Sequence, residues 1–132
     1  MAFPIASGER RRAGFTLIEL LVVLAIIATL ISIAAPQYFG ASDRAKETVL
    51  REDLNVMRDA IDKFHGDTGK YPDSLQTLVD RRYLRAVPVD PITEKNNTWI
   101  EVRGAGSNAA GVVSVKSGAE GKASDGTPFG AY

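Results

Sequence analysis

The sequence predicts an α+β fold: a long N-terminal helix, apolar in its first half and amphipathic in its second, packed on a small antiparallel β-sheet. Three observations predict it. An apolar run over residues 15–35 holds a single charge, Glu19. A stripe of Leu50, Leu54, Met57, Ile61 and Phe64 follows at spacings of 4, 3, 4 and 3, the period of one helix face. Two short segments rich in strand formers, residues 98–102 and 111–116, then flank a turn of small residues.

The totals narrow the function. At 132 residues the chain holds one small domain besides the apolar run. Its 16 basic and 16 acidic residues cancel, and no basic patch points to nucleic acid. There is no Cys, which excludes a disulfide framework and thiol chemistry. With one His and no phosphate-cradling glycine loop, no catalytic constellation is visible, so the chain is expected not to be an enzyme.

The N-terminal segment comes first. Residues 15–35 would span about 30 Å as a helix, the thickness of a bilayer's hydrocarbon core. Arg10, Arg11 and Arg12 precede them and set that end on the cytoplasmic side, with the rest of the chain outside. One plain reading is a secretory signal peptide cut after Ser32-Ile33-Ala34; another is a simple membrane anchor. Against the first, the apolar run is longer than the usual apolar core of a signal peptide, and Glu19 lies within it.

The stretch Gly14-Phe15-Thr16-Leu17-Ile18-Glu19-Leu20-Leu21-Val22-Val23 resembles the prepilin cleavage and methylation motif of type IV pilins and type II secretion pseudopilins. The resemblance implies a cut between Gly14 and Phe15 by a prepilin peptidase and N-methylation of the new Phe15 amine. Removing residues 1–14, with three Arg and Glu9, leaves a net charge of −2. Physical reasoning supports a role for Glu19. A carboxylate at the centre of a membrane helix costs about 2.5–3.5 kcal/mol, less near an end, and usually has a partner. Glu19 lies about one helical turn past Phe15, whose amine, on its own chain or a neighbour, is the best available cation. The plain alternative is that Glu19 reaches back to the headgroups from its shallow depth.

Pro36, in Ala34-Ala35-Pro36-Gln37-Tyr38, also resembles the family, and by removing a backbone donor it should kink or loosen the helix. Gly40 weakens it again. Beyond Ala41 the stripe is widened by Val49 and Val56, and the opposite face is charged. A polar-faced helix belongs to the soluble domain. A coiled coil would need three to four heptads, and the run offers barely two. The helix is expected to end near His65-Gly66, with His65 a helix-end residue.

Asp73 or Ser74 can cap a second helix with Leu75, Leu78 and Val79 on its apolar side. Pro88 and Asp90-Pro91 break regular structure before the strands. Residues 117–132 are rich in Gly and polar residues, so their order is expected to come from something other than core packing.

Further residues sharpen the resemblance. Lys70-Tyr71-Pro72 with Leu75 and Leu78, then Tyr83-Leu84, Pro88 and Asp90-Pro91, resemble the major pseudopilin of type II secretion systems. So do Val113-Ser114-Val115-Lys116-Ser117-Gly118-Ala119-Glu120-Gly121 and Asp125-Gly126-Thr127. After Asp90-Pro91, where that family continues Trp-Gly, this chain has Ile92-Thr93, and its only Trp is Trp99. The resemblance implies a pilin-like fold and a calcium ion in the C-terminal loop in place of a disulfide. The donors on offer are the carboxylates of Asp125 and Glu120, the hydroxyls of Ser117 and Ser124, and carbonyls made accessible by Gly118 and Gly121, against the plain reading of two solvated acids and an Asp-Gly turn.

The expected organisation is therefore a leader at residues 1–14, a transmembrane and filament-core helix at 15–35 and a periplasmic domain at 36–132. The expected function is a structural subunit of a periplasmic pseudopilus, a homopolymer built through Glu19, Phe15 and Pro36. Its expected partners are the prepilin peptidase, minor pseudopilins and an inner-membrane assembly platform. The alternatives are a type IV pilin for adhesion, motility or DNA uptake, and a membrane-anchored binding module that builds no filament.

Overall fold

The structure is a computed structural model that describes residues 1–4, 8, 13–107 and 109–132; Arg10, Arg11 and Arg12 lie outside the described residues. In chain order it contains helix α1 (Leu17–Thr68), helix α2 (Leu75–Asp80), strand β1 (Ile100–Arg103), strand β2 (Val112–Lys116) and a 3-10 turn (Phe129–Ala131). It divides into two units, Met1–Tyr38 and Phe39–Tyr132.

The first unit is the start of α1. Thr16 caps it: its hydroxyl accepts the Glu19 N–H at 3.2 Å and its carbonyl accepts the Leu20 N–H at 3.2 Å. The polar side chains farther along serve the helix itself. The Thr29 and Ser32 hydroxyls each donate to the carbonyl four residues back, Ala25 and Ala28, at 2.8 Å. Glu19 is thus the one side chain between Leu17 and Ile33 whose charge is left to be met. The helix continues through Pro36, which has no N–H to offer the Ser32 carbonyl.

The second unit is built on the amphipathic half of α1. Leu50, Leu54, Met57, Ala60, Ile61 and Phe64 are buried against Leu75 and Leu78 of α2, Leu84, Trp99, Val112 and Val115 of β2, and Ala119, Ala123 and Phe129. Val49 and Val56 stay 49% and 43% exposed, so the buried stripe is narrower than their spacing suggests. Two strands are too narrow a cover for a wider one.

Helix α1 runs to Thr68, past Gly66. Gly69 ends it in the left-handed conformation, φ +72°, with its N–H donated to the His65 carbonyl at 2.8 Å. His65 sits in the last turn with its ring stacked on Tyr71, centroids 4.1 Å apart. Ser74 is the N-cap of α2, accepting the Thr77 N–H. A second free donor, the Leu75 N–H, is met by Glu101 Oε1 at 3.1 Å, which ties α2 to β1.

Strands β1 and β2 are antiparallel, with Ile100 opposite Lys116, Glu101 opposite Val115 and Val102 opposite Ser114; a bulge follows before Arg103 opposite Val112. Pairing starts at Ile100 because the two residues before it are engaged elsewhere. The Thr98 and Thr93 hydroxyls bond at 2.7 Å, and Trp99 Nε1 donates to the Pro88 carbonyl at 2.7 Å. After β2 the backbone at Gly118 passes so close to the Thr98 carbonyl that no Cβ fits there. Gly118→Ala should therefore lower domain stability by about 1–3 kcal/mol, the usual cost of overpacking. Thermal melting of the full chain in detergent, followed by circular dichroism, checks this; an unchanged midpoint would contradict the close approach.

Candidate functional site

The candidate functional residues lie in two regions. At the N-terminal junction, Gly14 and Phe15 are exposed and lie in the non-helical stretch 13–16 immediately before α1. The Gly14–Phe15 bond is thus exposed and outside any helix. Only Phe15 and Thr16 separate it from the first helical residue. The Thr16-Leu17-Ile18-Glu19 spacing is that of a capping box, whose threonine hydroxyl takes the backbone N–H three residues on. The sequence carried that signal, though the residues stood out first for their likeness to a processing motif. The Glu19 carboxylate is exposed, and no hydrogen bond engages it among the described residues.

Beyond the junction the apolar side chains have no cover. Leu17, Ile18, Leu30 and Ile33 are 77%, 71%, 60% and 64% exposed. The helix is long and apolar enough to cross a membrane, and none of its apolar stretch is buried within the protein. Pro36 lies at the end of this stretch.

The second region is the C-terminal loop, where Ser117, Glu120 and Asp125 have different surroundings. Ser117 is buried; its hydroxyl donates to Asp90 Oδ2 at 2.7 Å and accepts the Ala119 N–H at 3.1 Å. Asp125 Oδ1 accepts the Thr127 N–H at 2.9 Å, while Oδ2 faces Arg51 at 3.4 Å. Glu120 is exposed. Among the described residues no group of three or more His, Cys, Asp or Glu is assembled to hold a metal ion. Two of the donors implied by the family resemblance, Ser117 and Asp125, are thus already hydrogen-bonded within the chain.

Sequence reasoning missed what does hold the loop. Glu47, only 9% exposed, accepts both the Ser124 N–H and the Ser124 hydroxyl at 2.7 Å each. The Arg51 guanidinium donates to the Tyr132 hydroxyl at 2.8 Å and lies 4.6 Å from its ring centre. Arg58 donates to the backbone oxygens of Val115 and Tyr132 at 3.0 and 2.7 Å. Asp90, fully buried, accepts from Ser117 and from the Ile92 N–H at 2.8 Å, joining the loop before β1 to the one after β2. In sequence Glu47 and Arg51 read only as part of the charged helix face, and Arg58 carries no local signal of its role.

The geometry defines a class: a small α+β domain on the amphipathic end of a long helix whose other half is uncovered and apolar, as in pilin-type subunits. Residues 10–35 match the prokaryotic N-terminal methylation motif. The chain is 34% identical to type II secretion system core protein G of Pseudomonas aeruginosa over 99 residues, 63% of this chain and 70% of that protein. It is 31% identical to the protein of the same name from Klebsiella pneumoniae over 98 residues, 62% of this chain and 70% of the relative. With the one from Aeromonas hydrophila the identity is 29% over 99 residues, 63% and 69%. No solved structure matches the chain. The chain belongs to the core protein G family of type II secretion systems, the major pseudopilins.

Two carboxylates of the domain respond to acid in opposite senses. The backbone N–H and hydroxyl of Thr127, helped by Arg51, hold Asp125 below the usual carboxylate range. Burial, then the charges of Asp90 and Glu52, push Asp53 up. A lowered folded-state pKa gives stability that is present above the unfolded value and lost as pH falls through the folded one; a raised pKa does the reverse. Asp125→Asn should thus lower the melting temperature at neutral pH, and the difference should vanish in strong acid. Asp53→Asn should raise it at neutral pH and make no difference once Asp53 is protonated. Melting curves across pH for the two variants check both signs.

Proposed function

We propose that this chain is the structural subunit of a pseudopilus in type II protein secretion, polymerising through its N-terminal helix to push exported proteins outward. The observation that carries the reading is the uncovered apolar half of α1, in a chain of the core protein G family. About 25 cal/mol for each Å² of apolar surface removed from water makes such a face unstable in solvent. Lipid covers it before assembly, and neighbouring helices cover it in the filament.

The same reading assigns the processing steps. A prepilin peptidase cuts between Gly14 and Phe15, residues 1–14 leave, and the Phe15 amine is methylated. Residues 15–35 hold the subunit in the inner membrane as a single pass, and residues 36–132 lie in the periplasm until an assembly platform and minor pseudopilins draw the subunit into the filament. The role is structural, and no reaction is assigned to the chain.

Glu19 sets the register. Its carboxylate is exposed within the apolar run and engages no partner among the described residues, which supports a partner outside the chain. Leaving one member of a buried ion pair unmatched costs about 3–5 kcal/mol, so helices pack where Glu19 meets the Phe15 amine of a neighbour. Pro36 gives the helix a place to adjust, since it already lacks one backbone donor.

Mass spectrometry of the protein extracted from membranes should show a chain starting at methylated Phe15. Glu19→Ala should be cut normally and yet build few or no filaments, as read by electron microscopy and crosslinking. Normal filaments from Glu19→Ala would overturn the register assignment, and a mature chain starting elsewhere would overturn the processing assignment.

A further inference from the structure

We infer that α1 itself, through Glu47, Arg51 and Arg58, closes the C-terminal loop of this chain, so that the loop folds and holds without the cation implied by the family resemblance. Residues 47, 51 and 58 are four and eleven positions apart, one turn and three turns, so they share one side of the helix. Each reaches a different part of residues 115–132. Glu47 takes both donors of Ser124, Arg51 holds Asp125 and the Tyr132 hydroxyl, and Arg58 holds the Val115 and Tyr132 backbone oxygens. Their bonds span the loop from its start to its last residue.

Several of the oxygens a hard cation would need are already in use. Calcium takes six to eight oxygen ligands, among them carboxylates and backbone carbonyls. Here the Gly121 carbonyl accepts the Phe129 N–H at 3.2 Å, the Ala123 carbonyl accepts the Gly126 N–H at 3.0 Å, and the Thr127 carbonyl accepts the Ala123 N–H at 2.8 Å. Asp125 spends one oxygen on Thr127 and presents the other to a guanidinium. A divalent ion bound at that carboxylate would sit beside a fixed positive charge, which opposes it. Phe129 adds an apolar anchor, 8% exposed within the core.

The test uses the full chain in detergent micelles. Melting is followed with chelator or with excess calcium, and hydrogen exchange is read by mass spectrometry over residues 117–132. The midpoint should move by less than about 1 °C, and exchange in the loop should not change. A site filled at a hundredfold excess over its Kd would instead raise melting of a domain this size by roughly 10–20 °C. Glu47→Gln and Arg58→Met should each speed exchange over residues 117–132 by roughly tenfold or more, since each bond set involves a charged group. Calcium protection of the loop that disappears in Asp125→Ala would overturn the inference, as would unchanged loop exchange in both helix variants. The calcium comparison on the unaltered chain decides the matter even if a variant fails to fold.

Discussion

Burial of Leu50, Leu54, Met57 and Ile61 along one face of α1 is the contact on which the rest of the domain depends. A two-stranded sheet is marginal by itself in water, and β1 and β2 have four and five residues. Each fully buried aliphatic side chain is worth about 1.5–3 kcal/mol, so the helix supplies the apolar surface that two short strands cannot. Leu78, Val112 and Val115, none of them exposed, complete the other wall. The cost of this economy is a narrow core, with Val49 and Val56 left partly in solvent.

Polar side chains fasten what the narrow core leaves over. Asp90 and Glu47 are acids taken out of water, and both have their oxygens met, Asp90 by Ser117 and backbone N–H groups, Glu47 by Ser124. No buried polar side-chain atom lacks a partner among the described residues. Such bonds are modest in net worth but expensive to leave half made, so they select one loop conformation rather than merely adding stability. In a chain without Cys, this network and the Phe129 anchor take the place of a covalent staple.

The apolar half of α1 obeys a different rule. Where no water is present to compensate, every polar group must be satisfied within the helix. Thr16, Thr29 and Ser32 do this locally, at the first turn and along the helix. Glu19 remains as the exception, a carboxylate with no hydrogen-bond partner among the described residues. The same short stretch thus joins an exposed, non-helical junction, a capped helix start and this carboxylate.

By itself the sequence determined the fold class, the two-part helix, both strands and the family, because these rest on periodicity, composition and a contiguous motif. Local chemistry was legible too: Ser74 as a cap and the small-residue turn between strands. Boundaries were less so. Gly66 reads as a helix end, but the helix passes it because Gly69 takes the left-handed cap. Thr98 and Trp99 read as strand, but their side chains are committed to Thr93 and Pro88. Only the tertiary structure decided the C-terminal loop. The family resemblance offers Ser117, Glu120 and Asp125 as donors, and in space the Ser117 hydroxyl meets Asp90 while Asp125 faces Arg51. The physical reason is that a carboxylate's partner is set by what folds against it. Residues 27 and 74 positions away are invisible to any reading of local pattern.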